Sequence, residues 1–389
     1  MERALRLLLD PANGAIVFPV ALALYYGIWP WFVDHPSIAE TRETFAILPW
    51  VAAAWVALGA LPFRIRAFRP ADPSRAVPFV YAVFIAFGVF VALTIATAPS
   101  IPLLKALTGA GVDAVAVSRE HFLKARTGWA AGLPYLNAML TGSLLPYALA
   151  LALLHRYRGA GCVLIGFLAY SLVFVEKAFF LRLLLPLMAV IVVSGVRQPK
   201  LSWLVAGGVA LLAGNVLLSG FGEAGIGDFL LYRTLEVPVV TVADSLDFWL
   251  QRYSGEPLHG ATSSLLSSAW GVHRIPFERE VFVYQYGAFE TGTGSANAAY
   301  FVEAYVNFGY PGVLLLSVVL GAVLGYVGRS EDAALRCTLP LVMYTVFVGG
   351  MLGLLFSNGL LLVLLASRWI TAGRVEGRGS LGVNWPGHG

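Results

Sequence analysis

What most constrains this chain is a succession of apolar runs of membrane length, broken once by a long polar interval at residues 220 to 309. A hydrocarbon core about 30 Å thick asks for roughly 20 apolar residues per helical crossing. With such a window, spans fall at about 15–33, 45–63, 77–97, 130–154, 160–175, 178–195, 202–220, 306–327, 336–353 and 355–371. The expected fold is therefore an all-α polytopic membrane protein with about ten transmembrane helices. Composition excludes a soluble domain: 58% of residues are hydrophobic, 12% are charged, and the mean hydropathy is +0.76. The fifth and sixth spans meet at Glu176-Lys177, and the ninth and tenth at a similarly tight turn.

Orientation follows from where Lys and Arg sit beside the spans. If Arg3 and Arg6 are cytoplasmic, strict alternation puts Arg64, Arg66, Arg69 and Arg75 on that side, followed by Arg156, Arg158, Arg197, Lys200, Arg329, Arg336 and Arg368. Both termini are thus expected in the cytoplasm. The first run ends in Asp34-His35-Pro36 without a small-residue cleavage pattern, which points to a retained helix rather than a signal peptide. The organisation expected is residues 1–219 with seven helices and an outer segment at 98–129, a large outer loop at 220–305, three helices at 306–371, and a disordered tail at 372–389. Cys162 and Cys337 are far apart and suggest packing rather than a disulfide or a metal site. The basic balance, with a sequence pI near 9.0, reads as orientation plus an anionic ligand. It does not read as nucleic-acid binding, because no basic amphipathic stretch with interleaved aromatics occurs.

Orientation does not explain the cations on the outer side. Lys177 and Arg182 lie in a nearly uninterrupted apolar stretch, with Arg182 almost two turns into the helix, where charge normally faces the protein interior. A structural ion pair with Glu176 and snorkelling is the competing account. Arg119 and Arg126, seven apart, share one face if the segment is helical, although such a stripe also suits lipid headgroups. Arg233 follows the seventh span among apolar neighbours, a position that also fits an interfacial anchor. Guanidinium groups bind phosphate oxygens in bidentate fashion, so convergent cations on an outer face suit a phosphate or diphosphate.

The outer loop interleaves aromatic and polar residues, among them Trp249, Tyr253, Trp270, His273 and Tyr300. Such surfaces suit sugar rings, and equally an aromatic belt at the interface. A Gly/Ser-rich stretch, Gly292 to Ser295, then leads into a helix carrying Glu303 and Asn307 one turn apart, followed by Phe308-Gly309-Tyr310-Pro311-Gly312.

This pattern resembles the Wzy-type polymerases of lipid-linked oligosaccharide repeat units, which build O-antigen, capsule and exopolysaccharide chains. The resemblance covers most of the chain in architecture, and in motif it rests on Arg233, on Lys177 and Arg182, and on Asn297 to Gly312. Many relatives carry a Gly/Ser-Arg pair at the tight outer hairpin, whereas this chain has Glu176-Lys177 with Arg182 deeper. The resemblance implies a GT-C-like glycosyltransferase of the bacterial inner membrane with its site on the periplasmic face. Its substrates would be undecaprenyl-diphosphate-linked oligosaccharides, its surroundings membrane lipids, and a further partner a chain-length regulator, with no nucleic acid. It further implies inverting transfer without cofactor or metal. Glu303 would be the catalytic base and Arg233 a catalytic cation. Lys177, Arg182, Arg119, Arg126 and Arg233 would hold diphosphate, and Asn297, His273, Trp249 and Tyr300 would contact sugar. An O-antigen ligase shares donor and architecture and differs in acceptor. A transporter or flippase fits less well, because the spans show no repeated halves and few charges at mid-span.

Overall fold

A computed structural model describes residues 13–64, 71–123, 126–174, 177–194, 235–287 and 296–372. The expected seventh span at 202–220, the cation Arg233, the Gly/Ser stretch 292–295 and the tail beyond 372 lie outside these residues. Among the described residues every regular element is helical. Five apolar helices are long enough to cross a membrane: Gly14–Phe32, Arg42–Ala60, Pro73–Ala96, Gly128–Leu154 and Tyr300–Arg329. Shorter apolar helices cover Ala160–Phe174, Leu181–Val193, Ala333–Phe347 and Leu360–Thr371. Large apolar side chains such as Ile85, Ile165 and Leu315 stand more than 60% exposed on the outer faces of these helices. In water such a surface would be a liability, and in lipid it is the expected boundary. Cys337 is buried in the packing, whereas Cys162 lies on an exposed face.

Local signals set the helix ends. Asp72 precedes Pro73 and accepts the Ser74 N–H at 2.9 Å, so a side-chain cap and a first-turn proline start the helix Pro73–Ala96 together. Asp332 does the same for Ala333–Phe347, accepting the N–H groups of Ala334 and Leu335 at 3.0 and 3.2 Å. Its second oxygen accepts the hydroxyls of Tyr147 and Ser367 at 2.6 and 2.7 Å. A buried carboxylate is costly unless its lone pairs are filled, and here four donors from three helices fill them.

The helices Arg42–Ala60 and Tyr300–Arg329 run side by side in the same direction and cross where Gly59 meets Val318 and Gly321 meets Val56. A Cβ on either glycine would strike backbone atoms of the other helix, so only hydrogen there permits this approach. The first helix runs antiparallel to Arg42–Ala60 and carries Tyr26, whose hydroxyl donates to Phe347 O at 2.7 Å. Its ring also packs edge-on against Phe301.

Outside the apolar helices, the interval 235–287 forms helices Val237–Tyr253, Ser264–Trp270 and Phe277–Tyr286. Helix Val237–Tyr253 docks on the short helix Pro36–Glu40 through Ser37, whose hydroxyl donates to Asp244 at 2.6 Å, with His35 at 3.7 Å from the same oxygen. Burial pushes the Asp244 carboxyl above its ordinary pKa, a rise opposed by the Ser37 hydrogen bond and the His35 charge. One turn along the same helix, Asp247 accepts the Tyr284 hydroxyl at 2.7 Å and ties on the helix Phe277–Tyr286.

Candidate functional site

The helix Tyr300–Arg329 is broken at Gly309, whose φ of 63° and ψ of −157° suit glycine alone. Two residues on, Pro311 lacks the N–H that Asn307 O would otherwise receive. The polar segment at 258–262 supplies the missing donors. Leu258 N–H donates to Val306 O at 3.0 Å and His259 N–H to Asn307 O at 2.9 Å. Asn307, fully buried, completes the clasp by donating to Thr262 Oγ1 and to Glu303 O, both at 2.7 Å. The kink thus converts unsatisfied helix carbonyls into a dock for the loop over the helix start.

Glu303 sits one turn above Asn307, half-buried and facing the segment between the last two apolar helices. Leu352 N–H donates to its Oε2 at 3.4 Å, and the Met351 N–H lies beside it. A Cβ on Gly350 would stand 2.6 Å from the same oxygen, so glycine is needed there for the carboxylate to approach the backbone. The cleft in front of Glu303 is lined also by Thr262, Phe277, Glu278 and Asn307 and has a volume of about 40 Å³. That holds a water or a few, or one hydroxyl group, and not a sugar ring.

The expected tight turn at the end of the ninth span is a longer feature. Helix Ala333–Phe347 stops before Gly349-Gly350, a π-helical turn covers Gly353–Ser357, and the last helix begins at Leu360 after Gly359 at a φ of 78°. Asn358, at the far end of this segment, packs against Gly142 in a second π-helical turn, Leu140–Leu144. Thr141 beside it accepts a hydrogen bond from Arg182 at 2.9 Å. Segment 350–358 therefore touches Glu303 at one end and the neighbour of Arg182's partner at the other. Paired π-helical turns widen a helix locally and occur often at functional sites.

The other expected site residues have diverse placements. Lys177 is the first residue of its helix. Arg119 is half-buried on helix Val112–Leu123, which ends before Arg126, so the two do not form one helical face. Arg126 instead folds back. Its Nε donates to Phe122 O at 2.7 Å, Nη2 to Thr94 O at 2.9 Å and Nη1 to Thr97 Oγ1, which makes it a clasp between segments. Burial lowers its pKa. Trp249 is interior, its indole N–H given to Glu256 O at 2.9 Å and its ring edge-on to Tyr305. Tyr300 is fully buried against Ser317 at 3.0 Å. Neither ring offers a face for stacking a sugar. Asn297 is exposed between Ala296 and Ala298, which line the cleft, while His273 is exposed on the loop before Phe277.

Thr262, Glu278, Thr141 and the backbone of 350–352 were not singled out from sequence. The Gly349-Gly350 doublet inside an apolar run was the legible signal for the last of these. Compared with known proteins, no family model, no curated protein and no solved structure matches the chain.

Proposed function

We propose that the chain polymerises oligosaccharide repeat units carried on polyprenyl diphosphate, transferring the growing glycan to a new lipid-linked unit on the periplasmic face of a bacterial inner membrane. The observation that carries this is the Glu303 carboxylate, presented to a small cleft where an apolar helix meets the polar interval of the chain. A hydroxyl fits that cleft. Glu303 takes the acceptor's proton as its oxygen attacks the anomeric carbon, the bond to the diphosphate oxygen breaks, and the electron pair leaves with the diphosphate. One displacement of this kind inverts the anomeric centre. Arg182, held by Thr141 on the other side of segment 350–358, together with Lys177, Arg119 and Arg233, is the source of positive charge for the departing diphosphate. Arg126 serves the scaffold that holds this region.

The test is a single-turnover assay of the full chain in nanodiscs with the host's own polyprenyl-diphosphate repeat unit, read as a ladder of multimers. Wild type forms the ladder, and Glu303→Gln slows it by at least ~100-fold with an unchanged melting temperature, as expected for loss of a proton acceptor. A normal ladder from Glu303→Gln removes the base, and no ladder from wild type overturns polymerisation and turns attention to ligation onto a different acceptor.

A further inference from the structure

An apolar groove of about 480 Å³ runs between the helices Gly14–Ile28 and Arg42–Ala60 and ends at Arg329. It exists because small side chains face one another there: Ala15 and Ala23 on one helix, Ala53 and Ala57 on the other. Trp50 closes its inner end, stacked so tightly on Gly27 that a Cβ there would lie 2.6 Å from the indole nitrogen. The other end carries the only charged residue of the lining, Arg329. One N–H of this guanidinium holds Ala60 O at 2.8 Å, and among the described residues no carboxylate pairs with it.

We propose that this groove binds one acyl chain of an anionic phospholipid, with the lipid phosphate on Arg329. Three observations favour that occupant. From Trp50 to Ala60 the helix rises about 15 Å, the depth of one leaflet's hydrocarbon. An apolar trench with a cation at its mouth matches an acyl chain below a phosphate, whereas a neutral headgroup leaves the guanidinium without a partner. Left unfilled, the alanine walls would also forgo the dispersion contacts that a chain supplies. Arg329 lies about 30 Å along the lower helix from the break at Gly309, so a lipid carrier engaged at Glu303 would place its diphosphate away from it.

The experiment is native mass spectrometry of the full chain in detergent, exposed to phosphatidylglycerol, phosphatidylcholine or undecaprenyl phosphate. Wild type is expected to retain one phosphatidylglycerol about fivefold more than phosphatidylcholine. Arg329→Gln is expected to abolish that preference. Ala57→Phe, which fills the groove from an exposed position and leaves Arg329 in place, is expected to lose the bound lipid altogether. Equal retention by wild type and Ala57→Phe overturns the groove as the site. Equal retention of the two phospholipids overturns the role of Arg329, and preferential retention of undecaprenyl phosphate replaces phospholipid by carrier.

Discussion

Above Gly309, the long helix Tyr300–Arg329 carries Glu303 and a buried Asn307, gives two carbonyls to a loop, and faces a small cleft. Below it, the same helix is smooth, glycine-notched at Gly321 and pressed backbone to backbone on Arg42–Ala60. The lower half anchors and the upper half presents. A carboxylate that must meet a reacting hydroxyl within a few tenths of an ångström needs a support that does not move, and a close helix crossing provides one. The break between the halves frees the upper turn to aim Glu303 at Gly350–Leu352 instead of continuing the line of the lower helix.

The largest effect on this division should come from the lower half. Gly321→Leu drives a side chain into the Val56 carbonyl, and a loss of about 3 kcal/mol is expected, read as a lower melting temperature and loss of the monodisperse peak in detergent. An undisturbed melt would show that the crossing is not tight. Next comes the break itself. Gly309→Ala places a Cβ in a conformation reserved for glycine and should cost roughly 1–3 kcal/mol, while protease cutting of the 258–263 loop should rise as its dock on Val306 and Asn307 loosens. If stability falls and loop protection does not, the kink and the loop are independent.

The smallest effect belongs to the docked helix Val237–Tyr253. The Asp244 pKa is raised in the folded state, so the folded protein holds this proton more tightly than the unfolded chain does. Stability from that proton is full below the unfolded value of about 4 and is lost as pH rises through the higher folded value. Asp244→Asn removes this dependence. Its melting temperature should change less between acid and neutral pH than that of wild type, by about 2 °C across the window. Parallel curves would mean that Asp244 does not titrate there.

Much of the scaffold was legible because apolar runs of fixed length have one solution in lipid, a helix with its backbone satisfied internally. Glu303 and Asn307 were legible for a related reason: polar residues one turn apart at the start of an apolar helix share a face and need partners. Those partners were not legible. Thr262 lies 45 residues before Asn307 and Leu352 lies 49 residues after Glu303, and no local periodicity encodes a contact at such separation. Trp249 and Tyr300 show the converse, since composition suggested open aromatic faces and packing turned both rings inward.

The sequence by itself determined that this is a helical chain for a membrane, with its polar residues gathered around one long interval, because hydropathy and helix period are properties of consecutive residues. Only the tertiary structure decided which side chains are spent on the scaffold and which face a cleft. Arg126 and Arg182 look alike in sequence, yet one is held by Thr94, Thr97 and Phe122, while the other reaches Thr141 beside the segment that cradles Glu303. A guanidinium acts where its donors are aimed, and that direction is set by helices distant in sequence and adjacent in space.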